Sequence, residues 1–147
     1  MSEHLPTLSD PILSVGEEQR DFKIHFDAIE QHFNPIGAFE VRQVELIAYC
    51  DLEIDRNRRR MESYMERAIN DYAIEIAPMF DADPPIEPQS IMTRAATRAY
   101  VDNKDAVLVY EQNIRLAEQR RRQLIADLEH YQRQRKLSEV EDAEEVR

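Results

Sequence analysis

The stretch of chain from 38 to 77 contains neither proline nor glycine, and this feature most constrains the fold. Proline and glycine are the residues that most disfavour a helix interior, so the stretch can form one long helix. Its heptad positions are Val44, Ile47, Asp51, Ile54, Arg58, Met61, Met65, Ala68 and Tyr72. All of them except the aspartate and the arginine are apolar or aromatic. This spacing predicts a helix over about 38–77 with one buried stripe.

A second heptad series lies near the end of the chain. Its positions are Val107, Tyr110, Ile114, Ala117, Arg121, Leu124, Leu128, Tyr131 and Arg135. The series predicts a helix over about 104–136 with left-handed, coiled-coil-like packing. Two long heptad helices separated by a break can fold back on each other. We therefore expect an all-α fold whose core is a long antiparallel helical hairpin.

Shorter helices are expected to brace the hairpin. The spacing of Phe22, Phe26, Ile29 and Phe33, after a capping box at Ser14–Glu17, predicts a helix over about 15–33. Proline-rich residues 78–88 form a break, and a helix over about 89–101 follows. Whether 89–136 forms one helix or two stays open. The domain organisation is thus an extended arm at 1–13, a single helical domain at 14–136, and an acidic flexible tail at 137–147.

Composition limits the kind of protein that the chain can be. The net charge of −11 argues against a general polyanion binder. The single cysteine, Cys50, excludes an internal disulfide framework and is expected to be a buried, unreactive thiol. The sequence shows neither the pattern of a signal peptide nor an apolar run long enough to cross a membrane. We therefore expect a cytoplasmic protein.

Arginines form two clusters, which are Arg56, Arg58, Arg59 and Arg60 in the first long helix and Arg120, Arg121 and Arg122 in the last. In the hairpin both clusters would lie at mid-height and form a positive band. Guanidinium groups bind phosphate and carboxylate oxygens in bidentate fashion, so the band is a candidate site for an oxyanion or a partner. A salt-bridged helix surface is the alternative, because several of these arginines have an acid one turn away.

Charged residues also interrupt the two apolar stripes. One register of the hairpin aligns Tyr72 with Val107 and so places Arg58 beside Arg121. Like charges in an apolar seam need compensation, and Asp51 is one carboxylate that can supply it. We therefore predict a polar layer in the helix seam, made of Asp51, Arg58 and Arg121, that fixes register or orientation.

No pattern in the sequence points to catalysis. His25 and His32 lie on one side of their helix without the further ligands of a metal site. The two glycines cannot build a phosphate-binding loop, and no nucleophile elbow is present. We expect no enzyme activity, no cofactor, no metal and no small-molecule substrate.

Several segments resemble a group of bacterial all-helical proteins without an assigned function. The similar parts are Pro35–Ala48 with its Val-Glu-Leu-Ile-Ala end, the segment Arg56–Glu62, and Tyr110-Glu111 followed by Leu124, Leu128 and Gln132-Arg133. Where that group has a tryptophan-arginine pair, this chain has Leu52-Glu53. The resemblance implies a helical architecture with a shared seam, and it implies no activity and no site.

Apolar side chains outside the two stripes favour an interaction role. Leu46, Tyr49 and Leu52 form one such group, and Leu108 and Val109 form another. A hairpin has few neighbours to cover this surface, whereas self-association or docking on a protein partner would cover it. We therefore expect a non-catalytic helical interaction or assembly module. The alternative is a nucleic-acid-associated accessory protein that uses the arginine band.

Overall fold

The computed structural model describes residues 19–78 and 86–147, and these ranges contain no β-strand. Four helices follow one another: α1 (Gln19–Phe33), α2 (Gly37–Ile76), α3 (Pro88–Asp102) and α4 (Lys104–Glu145). The predicted all-α class is therefore confirmed. The predicted arm at 1–13, the capping box at Ser14–Glu17 and most of the break at 78–88 lie outside the described residues.

The turn between α1 and α2 has two residues with positive φ. The backbone N–H of Asn34 donates to the Glu30 carbonyl at 2.9 Å, and Asn34 has a φ of 46°. This left-handed residue ends the helix, and Pro35 cannot continue it. Gly37 has a φ of 82°, with nothing within 4 Å of the place a Cβ would occupy. Glycine is favoured there because of its backbone conformation.

Asn103 separates α3 from α4, so residues 89–136 form two helices. Its backbone N–H donates to the Ala99 carbonyl at 3.1 Å and its own carbonyl accepts from Val107 at 3.0 Å, so the interruption is short. Two tyrosines of α2 donate hydrogen bonds to this interruption. The Tyr64 hydroxyl donates to Asn103 Oδ1 at 2.8 Å and the Tyr72 hydroxyl to Asp102 Oδ2 at 2.6 Å.

Helix α4 ends at Glu145, nine residues beyond the predicted end at 136. The segment predicted to be a flexible tail is therefore helical through most of its length. No proline or glycine follows Pro88 to stop the helix. An Arg135–Glu139 ion pair at 3.0 Å also joins successive turns, and such pairs support exposed helices.

The chain divides into two compact units. The terminal unit consists of Met1–Leu52 and Ala117–Arg147, and the central unit consists of Glu53–Leu116. Helices α2 and α4 each contribute a segment to both units. Within each unit these two segments run antiparallel, because contacts from later residues of α2 fall on earlier residues of α4.

The core of the terminal unit lies between α1, the start of α2 and the end of α4. Its buried members are Ile29, Val44, Ile47, Ala48 and Leu128, flanked by Phe22, Phe26, Phe33, Leu124 and Ile125. Phe22 also stacks on Tyr49, with 4.4 Å between ring centroids. Leu46 and Tyr49 are half-buried and Leu52 is buried, so this group does not form the unpartnered apolar surface that the sequence predicts.

The core of the central unit lies between the end of α2 and α3. Ile76, Ile91 and Ala95 are buried there, and Ile69, Tyr72, Ala73 and Ile86 pack against them. On the surface of the unit the Arg98 guanidinium lies 4.7 Å from the centre of the Tyr72 ring. The spacing of four residues between the buried positions of α3 places them along one side of that helix.

Replacing Leu128 tests the core of the terminal unit. Leu128 is fully buried, so Leu128→Ala removes apolar contacts and leaves a cavity, and we expect a loss of about 3 kcal/mol in unfolding free energy. Leu137→Ala on the same helix is the matched control, because Leu137 is 57% exposed. Urea denaturation should show a change within about 0.5 kcal/mol for the control. Equal losses in the two variants would contradict this core.

Candidate functional site

A buried carboxylate, Glu40, joins three elements of the terminal unit. Its side chain is fully buried on the first turn of α2. Its Oε2 accepts from the backbone N–H of Ile36 at 2.8 Å and from Gln132 Nε2 at 3.0 Å, and its Oε1 accepts from Arg135 Nε at 2.7 Å. The Gln132 amide also donates to the Phe33 carbonyl at 2.9 Å. One acid therefore holds the α1–α2 turn against α4.

These contacts decide the ionisation of Glu40. Burial raises the pKa of the carboxyl, but the hydrogen bonds from Gln132, from the Ile36 N–H and from Arg135 lower it further than burial raises it. The resulting pKa lies below the ordinary value of 4.5. Glu40 is thus an anion at neutral pH, and a buried anion of this kind is tolerated because every oxygen has a donor.

This network was not predicted from the sequence. The register that aligns Tyr72 with Val107 places Arg135 at the level of Val44, whereas Arg135 pairs with Glu40, one turn nearer the start of α2. The heptad series of α4 predicts that Tyr131 is buried, whereas Tyr131 is 43% exposed and Gln132 is buried. The available signal was the spacing of Glu40 from Val44, which places the acid on the buried stripe of α2.

The structure brings two members of the predicted polar layer together. Arg121 Nε donates to Asp51 Oδ1 at 2.5 Å, with side chains 37% and 19% exposed. Both residues belong to the terminal unit. The pair joins α2 to α4 at a half-buried position, where Coulomb attraction is screened less than at the surface.

Arg58, the third predicted member of that layer, is exposed, so its placement in the seam is corrected. The preceding residue, Asn57, is only 6% exposed. Its Nδ2 donates to the Glu53 carbonyl at 2.8 Å, and Asn113 donates to its Oδ1 at 3.4 Å. Burying a carboxamide that is hydrogen-bonded costs less than burying a guanidinium, which explains the choice of Asn57.

The two arginine clusters belong to different units. Arg58, Arg59 and Arg60 are exposed and Arg56 is half-buried in the central unit, whereas Arg120 and Arg122 are exposed and Arg121 is half-buried in the terminal unit. A single positive band built from both clusters stays a prediction. The geometry of each cluster is described within its own unit.

An open depression lies beside two of the predicted arginines in the central unit. Its volume is about 310 Å³, and we call it the basic depression. It is lined by Arg59, Arg60, Ser63, Tyr64, Arg67 and Tyr110. The two tyrosine rings have centroids 6.3 Å apart and are tilted by 53°. Of these residues, only Arg59 and Arg60 were predicted from the sequence. Ser63, Tyr64 and Arg67 follow them along α2, and Tyr110 becomes their neighbour only when α4 packs on α2.

An apolar stripe lies on the exposed side of α4 in the central unit. Its members are Leu108, Val109 and Leu116, which are 46%, 57% and 57% exposed. Leu116 follows Val109 by seven residues, which is two helical turns, so the three side chains share one face. Tyr100 and Val101, just before α4, are also more than half exposed, at 53% and 65%. The prediction of uncovered apolar surface is thus located here.

The remaining residues considered in the sequence have ordinary surroundings. Cys50 is 2% exposed and forms no disulfide. Within 19–78 and 86–147, no three histidine, cysteine or acidic residues are grouped to hold a metal ion. His4 lies outside these ranges. No helix in the part of the chain that the structure describes is long and apolar enough to span a membrane.

Neutralising Glu40 should destabilise the protein in a pH-dependent way. The folded pKa is lowered, so its stabilising contribution is present above about pH 4.5 and is lost as the pH falls through the folded pKa. We expect Glu40→Gln to cost about 2 kcal/mol in unfolding free energy at pH 7 and less than half as much at pH 3. Urea denaturation at both pH values measures the difference.

Glu45→Gln serves as the control for this experiment, because Glu45 forms a 2.9 Å pair with Arg42 on the surface of the same helix. We expect it to change stability by no more than about 0.5 kcal/mol. A loss in Glu40→Gln that stays constant from pH 7 to pH 3 would show that the charge of Glu40 does not contribute.

A double-mutant cycle tests the Asp51–Arg121 pair. We expect Asp51→Asn and Arg121→Gln to show a coupling energy of about 1 kcal/mol in urea denaturation, a modest value because Arg121 is partly solvated. The same cycle with Arg120→Gln, an exposed neighbour, should give no coupling. Zero coupling in both cycles would remove the pair from the interactions that stabilise this unit.

Comparison with known proteins identifies no relative: no family model matches the chain, and neither the curated proteins nor the solved structures searched contain a match. The resemblance to bacterial all-helical proteins therefore stays a prediction.

Proposed function

We propose that this protein is a non-catalytic helical module that self-associates through the apolar stripe of α4. We also propose that α2 and α4 together form one long antiparallel hairpin. Two features support the hairpin: the lengths of α2 and α4, which have 40 and 42 residues, and their antiparallel pairing inside each unit. The composition, with a single buried thiol at Cys50, favours a reducing, cytoplasmic location.

The apolar stripe is the observation that carries the proposal. Leu108, Val109 and Leu116 leave about half of each side chain in water, although polar residues would serve equally well on a solvated face. Burying apolar surface contributes roughly 25 cal/mol per Å². Contiguous exposed apolar side chains on one helix face therefore mark a surface that another molecule covers.

The stripe suits a second copy of the chain. It lies along one face of a helix, and two such faces related by a two-fold axis present the same apolar side chains to each other. Two helices that meet in this way complete a four-helix arrangement with their own α2 segments.

Sedimentation velocity tests this function. We expect the wild-type protein to form an oligomer in the micromolar range. Leu108→Glu should raise the dissociation constant at least tenfold, because it places a charge in the apolar interface. Ile74→Glu is the matched control, since Ile74 is 73% exposed on α2 of the same unit and lies outside the stripe.

A monomeric mass for the wild-type protein at all concentrations up to about 100 μM would contradict self-association, because it would leave the dimer weaker than about 5 kcal/mol. An equal effect of Leu108→Glu and Ile74→Glu would place the interface elsewhere. Circular dichroism of both variants checks that the helices are retained.

A further inference from the structure

The basic depression concentrates positive charge on an acidic protein. Residues 56–67 contain five arginines and two glutamates, although the whole chain has a net charge of −11. Three of these arginines, Arg59, Arg60 and Arg67, line the depression and are exposed. Charges more than about 8 Å away are largely screened at physiological salt. The local arginines therefore decide which small ions approach this surface.

The geometry of α2 directs these arginines to one side. Ser63 and Arg67 follow Arg59 by four and eight residues, so the three lie on neighbouring turns of the same face. The guanidinium groups and the Ser63 hydroxyl are all hydrogen-bond donors. Arg59 and Arg60 also interact with other groups of the protein. The face is suited to a multiply charged oxyanion such as phosphate.

Aromatic rings line the rest of the basic depression. The Tyr64 hydroxyl donates to Asn103 Oδ1, which fixes the position of the Tyr64 ring, and Tyr110 of α4 lies beside it. The surface of the depression is largely apolar. A bare inorganic ion would leave that apolar surface uncovered. A planar ring stacked on tyrosine would cover it.

We propose that the basic depression binds a small ligand that carries a phosphate group on a planar ring system, as a nucleotide does. The phosphate contacts Arg59, Arg60 and Arg67, and the ring stacks on Tyr64 or Tyr110. The volume of about 310 Å³ lies at the lower end of the range for small-molecule sites, so it suits one nucleotide. This inference is independent of self-association through the apolar stripe.

Isothermal titration of the full-length protein with AMP, adenosine and ribose 5-phosphate tests the proposal. We expect AMP to bind at least tenfold more tightly than either fragment, because only AMP engages the arginines and a tyrosine together. Arg67→Gln should weaken AMP binding about tenfold, since it removes a charged hydrogen-bond donor. Tyr110→Leu should weaken it at least fivefold.

Arg94→Gln is the matched control, because Arg94 is an exposed arginine of the same unit outside the depression, and we expect less than a twofold change. Arg60→Gln is a second variant on the exposed face. Since the arginine variants alter only exposed side chains, their thermal unfolding should match that of the wild-type protein, and it confirms that each variant is folded.

Three results would overturn the proposal. The first is no binding of AMP at millimolar concentration. The second is equal binding of AMP and ribose 5-phosphate, which would remove the role of the rings. The third is binding of a twelve-residue oligothymidylate at least tenfold more tightly than AMP, with a steep dependence on salt. That result would instead favour the nucleic-acid role considered from the sequence.

Discussion

The terminal unit depends on one buried negative charge. Glu40 lies where the α1–α2 turn meets α4, and its position there is possible only because a guanidinium, a carboxamide and a backbone N–H surround it. Any arrangement that withdraws Arg135 leaves a desolvated carboxylate, which costs several kcal/mol. The charge thus specifies which residues of α4 face α2, whereas apolar side chains tolerate displacement by a turn. A buried polar contact therefore selects how α4 packs on α2 in this unit.

Helix positions were largely predictable from the sequence, and side-chain orientation was less so. Prolines and the heptad spacing predicted the helical segments, with most boundaries within a residue or two of those observed, and left open whether 89–136 forms one helix or two. A strict heptad drifts by about 20° every seven residues on a straight helix, so two heptads after Val44 the spacing alone does not decide between Arg58 and its neighbour Asn57. Which of the two side chains is buried then depends on the free-energy cost of removing each from water. The heptad spacing leaves the same choice between Tyr131 and Gln132. Gln132, which donates a hydrogen bond to Glu40, is the buried residue.

The candidate site was predictable only where it lies on one helix. Arg59 and Arg60 stand out as part of a cluster, and Leu108 and Val109 stand out as apolar residues outside the heptad positions. The tyrosine wall of the basic depression was not predictable, because Tyr64 and Tyr110 come from helices whose register the heptads leave open. Leu52 was misjudged for a similar reason, since sequence patterns do not show how much of α2 is covered by its neighbours.

The short interruption at Asn103 has a consequence for changes in chain length. Ile91, Ala95 and Ala99 are spaced by four residues, and on a straight helix such a series turns by about 40° at each step. Because of the break, the buried face of α4 starts independently at Val107. Because each residue turns a helix by about 100°, deleting Asn103 would give Leu108 the direction that the buried Val107 has now. The number of residues at this joint, more than their identity, determines which face α4 presents to water.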